Sequence, residues 1–99
     1  MIWHVVRFEF GDLDESTRVE VETALADLVH LDVVEFLRTG RDVDEPAVTG
    51  LIVGLADEDA LAAYREHPDH LPVVRRIREL GVPTARLDVA SDDDPTVLA

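Results

Sequence analysis

The chain has 99 residues, 46% of them hydrophobic, enough to bury one core and not two. Its 22 acidic residues against 9 basic ones leave a net charge of −13, which repels phosphate backbones and anionic lipid surfaces, so neither nucleic acid nor a membrane is an expected partner. All nine basic residues are Arg and there is no Cys, which removes Schiff-base, thiolate and disulfide chemistry and leaves histidine, tyrosine, carboxylates or an external group to carry any reaction.

No apolar run approaches the roughly 18 residues of a membrane span, and the start Met1-Ile2-Trp3-His4-Val5 has no basic segment leading into an apolar one. Cytoplasmic is the default location. Residues Ile2 to Phe10 alternate, with His4, Val6, Phe8 and Phe10 on one face and Trp3, Val5, Arg7 and Glu9 on the other, which predicts a strand. Turn residues Gly11 to Asp14 offer an Asp cap, and Val21, Ala24, Leu25, Leu28 and Leu31 recur at helical spacing, predicting a helix from about Glu15 to His30. Val33 to Thr39, stopped by Gly40, and Ala47 to Leu55 predict a strand hairpin around a polar loop.

Asp57 caps a second helix through Ala60, Leu61, Ala63 and Tyr64, which Pro68 breaks. Pro68 then suits the first position of a further segment carrying His70, Val73, Val74 and Ile77 on one stripe and ending at Gly81. Thr84 to Ala90 is the last strand. Residues 91–99, with three adjacent Asp and few apolar side chains, are expected to form an acidic mobile tail outside a domain of residues 1–90.

The order β-α-β-β-α-β with right-handed crossovers gives the α+β class, a ferredoxin-like monomer with a four-stranded antiparallel sheet. Helices cover one sheet face. The other carries Trp3 and Val5, with Leu37, Leu51 and Val53 expected alongside, and a second copy stacking sheet to sheet is the simplest cover.

Tyr64-Arg65-Glu66-His67-Pro68-Asp69-His70 is the one dense cluster of titratable groups. Periodicity turns Tyr64 and His70 inward, where His4 joins them over Val6 and Phe8, and Gly50 and Gly54 are expected to leave space, outlining a pocket. Burial and the helix start would both keep His70 neutral, fit to act as a base, while Tyr64 could donate to an oxygen gaining charge. The candidate catalytic residues are therefore His70 and Tyr64, with His4, Val6, Phe8 and Val73 as substrate-binding residues; no cofactor is required, and His67-x-x-His70 makes no metal site because the proline disrupts its spacing. His30 lies off the apolar stripe and is read as solvated. The same Tyr and His residues also fit a purely structural role in a small core.

His4-Val5-Val6-Arg7-Phe8-Glu9-Phe10, Gly40-Arg41-Asp42-Val43 and the Tyr64 to His70 string resemble the Dabb family of stress-responsive dimeric α/β-barrel domains, and the resemblance extends over roughly residues 1–90. The resemblance implies a homodimer whose two sheets close a barrel. It includes cofactor-independent polyketide cyclases of the plant olivetolic acid cyclase type, which carry out an intramolecular aldol condensation; their base matches His70, their supporting Tyr matches Tyr64, and their first-strand His matches His4. Their pocket aromatics are not retained, since this chain offers Ala24, Ala26, Val73 and Gly81. Two functions follow as expectations: a small cofactor-independent lyase or cyclase acting on a carbonyl-containing ligand, or a noncatalytic stress-responsive binding or protective protein. A heme or oxygen-dependent monooxygenase is disfavoured because no axial ligand stands out.

Overall fold

A computed structural model describes residues 1–92. The chain runs β1 (Ile2–Glu9), α1 (Glu15–Asp27) continued by a 3-10 turn (Leu28–His30), β2 (Val34–Arg41), β3 (Val48–Leu55), α2 (Glu58–Glu66), α3 (Leu71–Glu79) and β4 (Thr84–Ala90). The sheet order is β2-β3-β1-β4 with every neighbouring pair antiparallel. This is the ferredoxin-like arrangement the sequence predicts. No helix among the described residues is long and apolar enough to cross a membrane.

Local chemistry fixes each helix. Asp14 and Asp57 accept from the backbone N–H of Thr17 and Ala60, both at 2.8 Å, which satisfies donors that the first turns of α1 and α2 leave orphaned. Gly81, at φ 67°, ends α3 with the Val82 N–H reaching back to the Ile77 carbonyl, a left-handed position that Gly adopts without a Cβ penalty. The third helix begins at Leu71 rather than at Pro68. Residues 68–70 form a turn in which the His70 and Leu71 N–H groups both donate to the His67 carbonyl, and Pro72 occupies the first helical turn, where its missing donor costs nothing. Strand β2 also outruns its expected stop: Gly40 stays in the ladder opposite Gly50, and Arg41 follows it.

The core lies between the sheet and the helices. Val6, Phe8 and Phe10 pack with Leu51, Val53 and Leu55 from β3 and with Val21, Leu25, Leu28, Leu61 and Ile77 from the helical layer. This corrects two expectations. Because cross-strand partners share a face, the pairs His4↔Val53, Val6↔Leu51 and Leu37↔Val53 place Leu37, Leu51 and Val53 in the core, not on the open side. Likewise Gly50 and Gly54 stand opposite Arg7 and Trp3 on the open face, so they leave no space in the pocket; a Cβ at Gly54 would collide with the Phe36 ring that covers it. The apolar residues of the open face are Trp3, Val5, Phe36, Ile52, Leu87 and Val89, with Trp3 and Phe36 packed edge to face at 5.8 Å. Strand β4 is polar toward the helices and apolar away from them, with Leu87 63% exposed.

Met1 and Ser91 exchange backbone hydrogen bonds of 2.8 and 2.9 Å, which carries the β1–β4 pairing one residue past Ala90. Residues 93–99, most of the expected tail, lie outside the described residues.

One charged group interrupts the core stripe of α1. Arg18 is 6% exposed, lies over the Phe10 ring and donates to Thr49 Oγ1 at 2.9 Å, while Thr49 donates to Glu22 at 2.7 Å. Burial works against ionisation of Glu22, but hydrogen bonds from Arg41 and Thr49 and the charges of Arg41 and Arg18 hold its carboxyl below the usual range. The network ties α1 to the β2–β3 hairpin. Replacing Arg18 with Ala should lower unfolding stability by about 3 kcal/mol, the scale of breaking a buried pair from one side. Urea denaturation checks this, and a loss below about 0.5 kcal/mol would mean the site repacks freely.

Candidate active site

The first anchor is a cross-strand pair. His4 and Asp88 face each other in the β1–β4 register, and His4 Nδ1 lies 2.5 Å from Asp88 Oδ1. The carboxylate can only accept, so Nδ1 carries the proton and Nε2 remains for a bound molecule. Arg65 Nη2, at the end of α2, donates to the other oxygen of Asp88 at 2.7 Å, and Arg86 lies 3.5 Å from it. Burial would favour protonated Asp88, yet the hydrogen bond and charge of His4, with those of Arg65, hold its carboxyl below the ordinary range.

The second group comes from the break between α2 and α3. Tyr64 is 0% exposed, and its ring sits between two histidines, 5.4 Å from the His4 ring and 4.4 Å from the His70 ring. Among the described residues its hydroxyl has no hydrogen-bond partner. Burial pushes the hydroxyl well above the ordinary tyrosine range, so it stays protonated and is a donor. His70 Nδ1 lies 3.1 Å from the Arg65 carbonyl, an acceptor, which puts the proton on Nδ1 and leaves Nε2 with its lone pair. The ring is held below the ordinary imidazole range chiefly by burial, opposed by the Arg65 hydrogen bond and helped by the charges of His4 and His67. The expected contribution of the helix start gives way to this balance, because His70 stands at the N-cap of α3 rather than inside its first turn.

These groups line one cavity of about 430 Å³ with Val6, Phe8 and Val73, so the structure brings all six predicted site residues together. Its apolar wall also uses Leu25, Leu51 and Ile77. Reasoning from sequence missed Asp88, Arg65, Arg78 and Arg86. The alternation of Thr84, Arg86 and Asp88 was visible, but only the β1 pairing shows that this polar set, not Leu87 and Val89, faces the helices. His67 does not share the site: its Nδ1 accepts from the Asp69 N–H at 3.1 Å, so it closes the end of α2. His30 is exposed at the end of the 3-10 turn, as expected.

The lowered folded pKa of His70 carries a sign. The unfolded chain takes up this proton first as the pH falls, so the contribution of His70 to stability is complete above the ordinary imidazole range and is lost as pH drops through about 6.5 toward the lower folded value. Melting temperatures measured from pH 8 to 5 should fall in wild type, and His70→Gln should flatten part of that slope. An unchanged slope would mean that other groups carry it.

A family model for the Dabb stress responsive A/B barrel domain matches residues 2–89. Sequence comparison with curated proteins finds no match. Among solved structures, a dimeric ferredoxin-like protein of unknown function from Thermobifida fusca is similar at 24% identity and a TM-score of 0.79, over 91% of this chain and 90% of that one. An Arabidopsis thaliana protein is 19% identical, with a TM-score of 0.77 over 95% and 98% of the two chains. SnoaB, a cofactor-independent oxygenase from Streptomyces nogalater, is 16% identical, with a TM-score of 0.75 over 95% of each chain. The fold and a family match spanning nearly the whole described chain lead to one assignment: this protein belongs to the Dabb family of stress responsive A/B barrel domains.

Proposed function

We propose that the protein is a cofactor-independent enzyme of the lyase or cyclase type that removes a proton next to a carbonyl, with His70 as base and Tyr64 as hydrogen-bond donor. The observation that carries this reading is the pairing of a His70 ring whose Nδ1–H is held by the Arg65 carbonyl with a buried, protonated Tyr64 hydroxyl in the same cavity. Nε2 of neutral His70 takes the α-proton, the C–H electron pair moves into the enolate, and Tyr64 donates to the enolate oxygen. In an aldol-type step the enolate carbon then attacks a second carbonyl of the same molecule, and the His70 imidazolium returns its proton to the new alkoxide. His4, fixed by Asp88 through Nδ1, presents Nε2 as an acceptor for the hydroxyl formed when that proton is returned.

A second reading, an oxygenase without a cofactor, shares the same deprotonation and differs in passing electrons from the carbanion to dioxygen; the similarity to SnoaB favours it. Excluding oxygen separates the two, since only the oxygenase would then stop. A noncatalytic binding or protective role is the alternative to both.

Deuterium exchange at the α-carbon of a simple ketone in D2O, followed by NMR, tests the base directly. His70→Ala should lower the exchange rate by about 10²- to 10⁴-fold, and Tyr64→Phe by no more than about 10³-fold, each with the fold retained. Wild-type exchange no faster than buffer would leave the binding role standing.

We further propose a homodimer closed through the open sheet face, as the exposed apolar residues of β4 and the description of the Thermobifida fusca protein as dimeric support. Light scattering should give about twice the 11.0 kDa chain mass, and Val5→Asp should dissociate or unfold the protein. A wild-type mass of one chain at micromolar concentration would overturn the dimer.

A further inference from the structure

We propose that the substrate of this cavity is itself a carboxylate, a keto acid whose anionic end sits at the arginine-lined mouth while its carbonyl reaches His70 and Tyr64. The inference rests on the reading of the cavity as a site for carbonyl compounds and adds the charge of what enters it.

The distribution of charge carries the argument. The chain holds 9 basic residues against 22 acidic ones, yet three arginines, Arg65, Arg78 and Arg86, line this one cavity, and among the described residues no Asp or Glu does. They come from three separate elements, the end of α2, the end of α3 and the middle of β4. Asp88, beside the cavity, offsets one positive charge while contacting both Arg65 and Arg86. That leaves an excess of two positive charges at the mouth of a protein with net charge −13. An anion repelled by the surface as a whole meets three arginines together at this cavity.

Arg78 combines two features, a place in the cavity lining and the lack of a carboxylate partner, where Arg75 on the same helix has only the second. Arginine in the last turn of a helix is favoured by the helix dipole, and Arg76 in the same turn also lies 3.8 Å from Glu20. Arg78 makes no ion pair with any carboxylate among the described residues, although acidic side chains outnumber arginines more than twofold. Arg65 and Arg86 keep much of their side-chain surface exposed, 43% and 58%, so their remaining N–H donors are open to a ligand. A planar guanidinium fork matches a carboxylate with two parallel hydrogen bonds. The apolar wall of Val6, Phe8 and Leu51 then takes the hydrocarbon part.

The test uses 4-oxononanoate, a stable keto acid, beside its uncharged amide and inorganic phosphate, with binding to the full-length protein followed through the His70 and His4 ring resonances. The acid should bind at least about tenfold tighter than the amide at low salt, the advantage shrinking as salt is added. Arg78→Gln with Arg86→Gln should bring the two affinities together, and Arg78→Glu should favour the amide. Equal binding of acid and amide to the wild type, or an acid preference that survives the double substitution, would overturn the proposal. Displacement of the acid by phosphate at equal concentration would also overturn it, in favour of a phosphoryl group. The two readings fail separately: an acid preference in a protein without α-proton exchange supports the anion site and removes the base, whereas exchange without an acid preference does the reverse.

Discussion

The pairing of β1 with its two neighbours is the constraint on which everything else depends. As a central strand β1 is hydrogen-bonded on both edges, so its register against β3 and β4 cannot slip by one residue without exchanging its two faces. In the observed register His4, Val6 and Phe8 turn toward the helices while Trp3 and Val5 turn away. The same register sets His4 against Asp88. The cavity, its charged mouth and the apolar open face are thus three results of one alignment.

Within that frame, burial acts in opposite directions on two neighbouring rings. It lowers the pKa of His70 and raises that of Tyr64, because in each case it disfavours the charged form. The pair therefore enters the neutral pH range as an uncharged base beside an uncharged donor, with no metal required to set either state. Asp88 resists the same pressure only because His4 and Arg65 compensate it. Burial and named neighbours together set the ionisation of Tyr64, His70 and Asp88.

Much of this was legible in the sequence. Alternation located β1, helical spacing located α1, and the string from Tyr64 to His70 marked the break between α2 and α3, because these signals depend on contacts near in sequence. What depended on register was not legible. Leu37, Leu51 and Val53 read as well on one sheet face as on the other, and only their pairing with β1 assigns them to the core. Gly54 read as empty space in a pocket, whereas it is the notch that the Phe36 ring fills on the opposite side. Arg18 was overlooked on a stripe of apolar residues, since a charge there makes sense only with Thr49 and Glu22 in place. Asp88 is 84 positions from its partner His4, beyond the reach of any local pattern.

The two faces of the sheet also carry different chromophores. The chain has one Trp and one Tyr, and β1 separates them: Trp3 stands on the open face against Phe36, while Tyr64 lies under the helices between His4 and His70. The protein thus contains two intrinsic optical reporters divided by a single layer of backbone. Tryptophan emission excited at the red edge of its band, where tyrosine does not absorb, reads the surroundings of Trp3 on the open face, while the weaker tyrosine band, overlapped by that of Trp3, reads the cavity through the difference from a Tyr64→Phe variant.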